Sequence, residues 1–289
     1  MNMAQQNIVR TYIYMAILTS VVALMAFAIS QASGYGSSGV GVGLLIAGVM
    51  NFAAYYFSDR IVLAQSHAQK IDQNDAPEYF EIVSALTRKA GLPMPDLYII
   101  PDTAMNAFAT GRDADHAAVA VTQGLLNRLT RDEVEGVIAH ELSHIRNYDM
   151  RLMSTVSILV GMLNILANMF WHAGLMGRSS NREDSRANSI ISIILIMVTP
   201  IVGMLIQLAI SRQREYLADA SAAELVGSPQ GLIDALRQLE SSKTPLATAD
   251  VATAHLYISN PFGDQPFWSS LFSTHPPMLE RIERLKMLQ

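Results

Sequence analysis

A chain of 289 residues with 51% hydrophobic and 16% charged side chains is too apolar for an ordinary soluble globular protein. Its net charge of −5 argues against nucleic acid as a partner, because phosphate binding needs a basic face. The absence of cysteine excludes disulfides, thiol nucleophiles and thiolate ligands, so any bound metal must rest on His, Asp and Glu.

In chain order, Ile8 to Ser30 is a long apolar run and Val40 to Phe57 a second, and the turn from Gln31 to Gly39 carries no charge. About 20 apolar residues span a bilayer, so residues 1–57 read as an N-terminal transmembrane hairpin. A cleaved signal peptide with a small-residue site near Ala32 is the alternative, but it leaves the second run unexplained.

From Ser58 to Arg151 the composition turns polar and mixed. Asp75 as N-cap and Pro77 in the first turn predict a helix to about Ala90, stopped by Gly91. Leu97 to Ile100, Met105 to Gly111 and Ala117 to Val121 predict three short strands. They lead into a helix whose start is marked by Thr130 and Glu133, a capping box. Val134, Val137, Ile138, Leu142 and Ile145 supply its apolar stripe. This helix carries His140-Glu141-Leu142-Ser143-His144, an H-E-x-x-H sequence. Residues four apart share a helical face, so the two imidazoles can hold one Zn²⁺. Glu141 beside that face can take a proton from a water that the ion activates. A zinc-dependent hydrolase is the leading expectation.

Two more apolar runs follow, from about Leu152 to Trp171 and from about Ile190 to Ile210, joined by the polar, arginine-bearing stretch Gly177 to Asn188. His144 lies only a few residues before the third run, which puts the metal close to the bilayer surface. The third ligand is not supplied by a metzincin pattern, because Tyr148 and Met150 occupy the region where its third His would fall. Glu215 stands just past the fourth run and four residues before Asp219, on the same helical face. Glu215 can bind the metal while Asp219 accepts the free N–H of a ligand histidine. The alternative, a solvated face of Arg214, Glu215 and Asp219, is outweighed once the H-E-x-x-H sequence is taken with it.

The order His140-Glu141-x-x-His144, two hydrophobic segments, then Glu215-x-x-x-Asp219 resembles the HtpX-type membrane zinc endopeptidases, gluzincin-group relatives of the CAAX prenyl endopeptidases. Asn106-Ala107-Phe108-Ala109 and Ser273-Thr274-His275-Pro276 also match stretches typical of that family. The resemblance implies one Zn²⁺ per chain, with His140, His144 and Glu215 as ligands and Glu141 as the catalytic carboxylate. It implies cleavage of misfolded or damaged membrane proteins in a bacterial inner membrane. By analogy with related peptidases, His275 donates a hydrogen bond to the oxyanion, against a plain helix-start contact. Asn106, Ala107, Phe108 and Ala109 are the candidate edge strand for an extended substrate, against an ordinary structural strand.

The fold class expected is therefore α+β: a mainly helical integral membrane protein with about four hydrophobic helices and a gluzincin-like zinc peptidase domain containing a small sheet. Residues 58–151 and 211–289 form the two halves of that domain, separated by a second hydrophobic hairpin over 152–210. Residues 243–273 could fold over the cleft. Arg10, Arg60, Lys70, Arg146, Arg151, Arg212 and Arg214 lie on the side of the site and the first turn has no basic residue, which places the site in the cytoplasm. Arg178, Arg182 and Arg186 in the second turn oppose this, so that hairpin either carries charge across or does not fully cross. Competing readings are a prenyl-protein endopeptidase and a membrane adaptor with a structural zinc. Glu141 separates the adaptor from the enzyme, since a structural site needs no carboxylate between its ligands.

Overall fold

The computed structural model describes residues 3–32, 38–176, 212–242, 244–263 and 276–288. The fourth apolar run and His275 lie outside these. Helix α1 (Met3–Ala32) packs antiparallel on α2 (Ser38–Tyr56): Gly43 faces Ala26 at one end, and Asn51 Nδ2 donates to Thr19 Oγ1 (2.7 Å) towards the other. Gly43 is required there, because a Cβ would stand 2.5 Å from that of Ala26. Leu18, Val22, Met25, Ala47, Met50 and Ala54 fill the seam. The outward faces stay apolar, with Leu24, Val42, Leu45, Val49 and Phe52 each more than half exposed. Such a surface is stable only against lipid or another apolar partner. Among the described residues α1 is the one helix long and apolar enough to cross a bilayer, over Gln5–Phe27. Helix α2 qualifies only together with α3 (Ser58–Gln65), across a 75° bend. Of the expected hydrophobic helices that fall on described residues, one therefore meets the standard by itself.

A four-stranded mixed sheet follows, ordered β1-β2-β4-β3. It comprises β1 (Gln69–Lys70), β2 (Asp96–Ile100), β3 (Ala107–Gly111) and β4 (Ala117–Thr122). β2 and β4 are parallel, and both outer pairs are antiparallel. The strands alternate strictly between two cores. Leu97, Ala107, Ala109, Val119 and Val121 face the helical core of the site, whereas Ile100, Phe108, Ala118 and Ala120 face a layer shared with α1, α2, α3 and α7 (Asp149–Met176). One sheet thus joins the hydrophobic hairpin to the site.

Helix α4 (Pro77–Ala90) ends at Gly91, whose φ of 67° is left-handed, as the sequence predicts. Asp75 does not cap it. Ala76 holds the N-cap position, and the Asp75 carboxylate instead accepts the Asp72 N–H at 2.8 Å. A short α5 (Gln123–Arg128) leads into α6 (Arg131–Arg146). Thr130 and Glu133 form the expected capping box, in which the Glu133 carboxylate accepts the Thr130 N–H at 2.7 Å. Its other oxygen accepts from Gln238 of α9 (Gln230–Ser241), again at 2.7 Å. Helix α8 (Arg212–Val226) and α10 (Met278–Lys286) complete the layer around α6.

Helices α6 and α9 cross backbone to backbone. A Cβ on Gly136 would lie 2.5 Å from the Leu232 nitrogen and 2.8 Å from its Cα, and neither atom can swing aside. Gly136→Ala is expected to destabilise the protein by about 1–3 kcal/mol despite alanine's better helix propensity. Denaturant unfolding in detergent, read against wild type, measures it.

Candidate metal centre

The 3.6-residue period of α6 places His140 and His144 one above the other, and that of α8 does the same for Glu215 and Asp219. Where the two helices pack, His140 Nε2 and His144 Nε2 lie 3.1 Å apart, and each is 3.6 Å from a Glu215 carboxylate oxygen. All three side chains are buried, and one ligand atom from each falls within 4.8 Å of the others. Four donors around a zinc at Zn–N and Zn–O of about 2.0–2.1 Å stand roughly 3.3 Å from one another. The observed separations bracket that figure.

Each histidine is gripped on its far side. Asp219 lies 3.0 Å from His140 Nδ1, and Asp149 lies 3.1 Å from His144 Nδ1. A carboxylate on Nδ1 fixes the tautomer that leaves the Nε2 lone pair free, the arrangement usual behind metal-bound imidazoles. Arg281 of α10 is fully buried and forks onto Asp219, with Nε at 2.9 Å and Nη2 at 2.7 Å. Its Nη1 lies 3.6 Å from Glu215 and donates to the Ile258 carbonyl at 3.3 Å.

Charge balance gives an independent test of fit. Glu141, Asp149, Glu215 and Asp219 are four buried carboxylates, and Arg214 and Arg281 are the two buried guanidinium groups among them. With both imidazoles neutral, as metal binding requires, two negative charges are left in a desolvated region, which a divalent cation balances and which a proton on His140 offsets in part without it. The electrostatics agree. Burial and Arg281 lower the His140 pKa, but hydrogen bonds to Asp219 and Glu215 outweigh them and push it up to about 9. Burial would raise Asp219, yet the charge and hydrogen bonds of Arg281 hold it below the usual carboxylate range. Burial keeps Glu141 above that range, against the pull of His140 and His144. A His₂Glu donor set with a carboxyl of raised proton affinity beside it suits metal-assisted hydrolysis.

The structure brings His140, Glu141, His144, Glu215 and Asp219 together, and His275 lies outside the described residues. Strand β3 stands at the sheet edge, as a peptide-binding strand must. Its Asn106–Ala107 end already carries a partner from the same chain. Ala107 C=O accepts the Ile258 N–H at 3.0 Å, and the Asn106 side chain donates to Ser259 C=O (3.0 Å) and accepts its N–H (3.2 Å). Phe108 points its ring the other way, edge-on to Tyr257 with ring centroids 5.0 Å apart.

Sequence reasoning missed Asp149, Arg214 and Arg281. Tyr148 has a left-handed φ of 58°, and that reversal brings Asp149 back to His144. A lone acid opening an apolar helix was the available signal. Arg281 is 141 positions from His140, and nothing local marks it.

Metal must displace the His140 proton, so metal affinity is expected to fall about tenfold for each pH unit below about 9. Chelator competition across pH checks this. Without metal, His140 protonation stabilises the fold fully below the ordinary 6.5, and that contribution disappears as pH rises through about 9.

The sequence profile of peptidase family M48 matches residues 73–289. A "Protease HtpX homolog" from Thermococcus sibiricus is 44% identical over 285 residues, covering 96% of this chain and 95% of the relative. One from Campylobacter concisus is 46% identical over 274 residues, covering 93% and 94%. Among solved structures, S. mikatae Ste24p is similar in fold, with a TM-score of 0.50 at 19% identity over 98% of this chain and 66% of that one. With the profile spanning most of its length and relatives matching nearly end to end, the chain belongs to peptidase family M48 and is a metallopeptidase.

Proposed function

We propose that the protein is a multi-pass, zinc-dependent endopeptidase of a bacterial inner membrane that cuts cytosolic loops and tails of membrane proteins, misfolded or damaged ones above all. The observation that carries this reading is the convergence of His140, His144 and Glu215 beside the buried carboxyl of Glu141. His140, His144 and Glu215 hold the ion, Asp219 orients His140, and residues 58–151 and 211–289 form the two halves of the peptidase domain. Zinc bound there supplies a Lewis acid that polarises the scissile carbonyl and acidifies water. A Glu141 carboxylate oxygen takes the proton of the attacking water as its oxygen adds to the carbonyl carbon. The same oxygen then delivers that proton to the leaving nitrogen as the C–N bond breaks. His275 is the secondary candidate for holding the oxyanion.

Substrate lies extended along β3, using Asn106, Ala107 and Ala109 on the side that now holds Ile258 and Ser259, so binding displaces or extends that short contact. Membrane placement is supported by the apolar outer faces of α1 and α2. A common side for all soluble segments is supported by Arg151 at the start of α7, which donates to Tyr12 of α1 (3.1 Å) and Tyr55 of α2 (2.6 Å). The N-terminal end of α1, the C-terminal end of α2 and the N-terminal end of α7 therefore meet next to the site. Basic residues on that side support a cytoplasmic orientation.

Detergent-purified protein, stripped by a chelator and resupplied with zinc, is expected to cleave an unfolded model protein only when zinc is present. Glu141→Gln should retain the metal and lose roughly 10²- to 10⁴-fold in kcat/KM. Equal cleavage by both proteins would overturn the assignment of Glu141.

A further inference from the structure

We infer that Asn7, on the N-terminal membrane helix, is a positioning residue for the metal centre that acts on His144 through Asp149. The inference rests on the reading of His144 as a metal ligand. Asn7 sits in the second turn of α1, immediately before the apolar run that opens at Ile8, yet it is 1% exposed. Its Nδ2 donates to Asp149 Oδ1 at 2.6 Å and to the Asn147 carbonyl at 3.0 Å. Its Oδ1 accepts from Arg214 Nη1 at 3.4 Å. Both donors and the acceptor are thereby used. The amide cannot be turned over, because the reversed orientation would set its oxygen against a carboxylate and a carbonyl and its NH₂ against a guanidinium.

Asp149 is fully buried and has two tasks. Oδ2 holds His144 Nδ1, and Oδ1 faces Asn7, with Arg214 Nη1 at 3.8 Å. Asn7 fixes the rotation of that carboxylate with a short hydrogen bond and ties it to the turn through Asn147. Arg214 immediately precedes Glu215, so the same amide also touches the helix that brings the third donor. The membrane helix in this way reaches both sides of the donor set, α6–α7 through Asp149 and α8 through Arg214. An α1 serving only as an anchor has no need of a buried amide at this position.

The experiment uses the full chain in detergent and reads zinc affinity by chelator competition for wild type, Asn7→Leu and Thr11→Val. Thr11 is fully buried one turn further along α1, and among the described residues its hydroxyl bonds only the backbone oxygen of Asn7. Asn7→Leu keeps the bulk and removes the hydrogen bonds. It is expected to weaken zinc binding roughly 10- to 100-fold, as loss of an outer-shell partner does, and to lower kcat with KM little changed. Thr11→Val should bind as wild type does. If Asn7→Leu fails to fold, the smaller Asn7→Ser carries the same test with the same expectation. Wild-type affinity in an Asn7 variant that folds, or equal losses in the Asn7 and Thr11 variants, would overturn the inference while leaving the metal site standing. Failure of wild type to bind zinc at all would overturn both.

Discussion

The interaction on which this architecture depends is the pairing of charge out of reach of water. An unpaired buried ion costs several kcal/mol, and this protein buries Glu141, Asp149, Arg214, Glu215, Asp219 and Arg281 within one region. Every one of them constrains an element. Arg281 draws α10 onto α8 through Asp219. Asp219 and Asp149 hold the two imidazoles of α6 from opposite ends. Arg214 and Asn7 bring α8 and α1 to the same carboxylate. The network works as a set of distance restraints, and its excess of carboxylates over guanidinium groups suits a divalent cation at the donor set.

The sheet explains how a membrane hairpin and a hydrolytic site share one frame. Because side chains alternate across a strand, β3 sends Ala107 and Ala109 towards the α6 core and Phe108 towards the hairpin layer. Small residues on the first face let the strand approach the metal helix closely. The aromatic on the second packs against Tyr257, whose hydroxyl lies 3.0 Å from that of Ser66, just beyond α3. Alternation at a single strand therefore settles both the approach to the site and the attachment of the membrane layer.

What was legible in the sequence follows from the same physics. His140, His144, Glu215 and Asp219 were readable because helix periodicity is local: four-residue spacings put donors on one face before any tertiary contact is known. The three longer strands and the Gly91 stop were readable for the same reason. Strand β1 was not, since Gln69 and Lys70 are two exposed polar residues that carry no alternation and pair only because β2 is there. The Asp75 cap failed because the side chain had a competing local acceptor role, receiving the Asp72 N–H. Asn7 and Asp149 are 142 positions apart, and a single Asn opening an apolar helix reads as ordinary interface chemistry until the partner is in view.

Burial sets a further condition on turnover. His140 is 1% exposed, Glu215 4% and His144 6%, so the donor set lies below the surface and the elements around it govern access. The elements cannot move with equal ease. Displacing α6, α8 or α10 would separate buried ions from their partners, at several kcal/mol each. Segment 257–259 is held to β3 by one backbone hydrogen bond and the Asn106 side chain, together with the Phe108–Tyr257 ring contact. The Ile258 carbonyl also accepts from Arg281 Nη1 at 3.3 Å, and the Tyr257 hydroxyl lies 3.0 Å from that of Ser66, so the edge of β3 is coupled through one residue to the arginine that holds Asp219 behind His140.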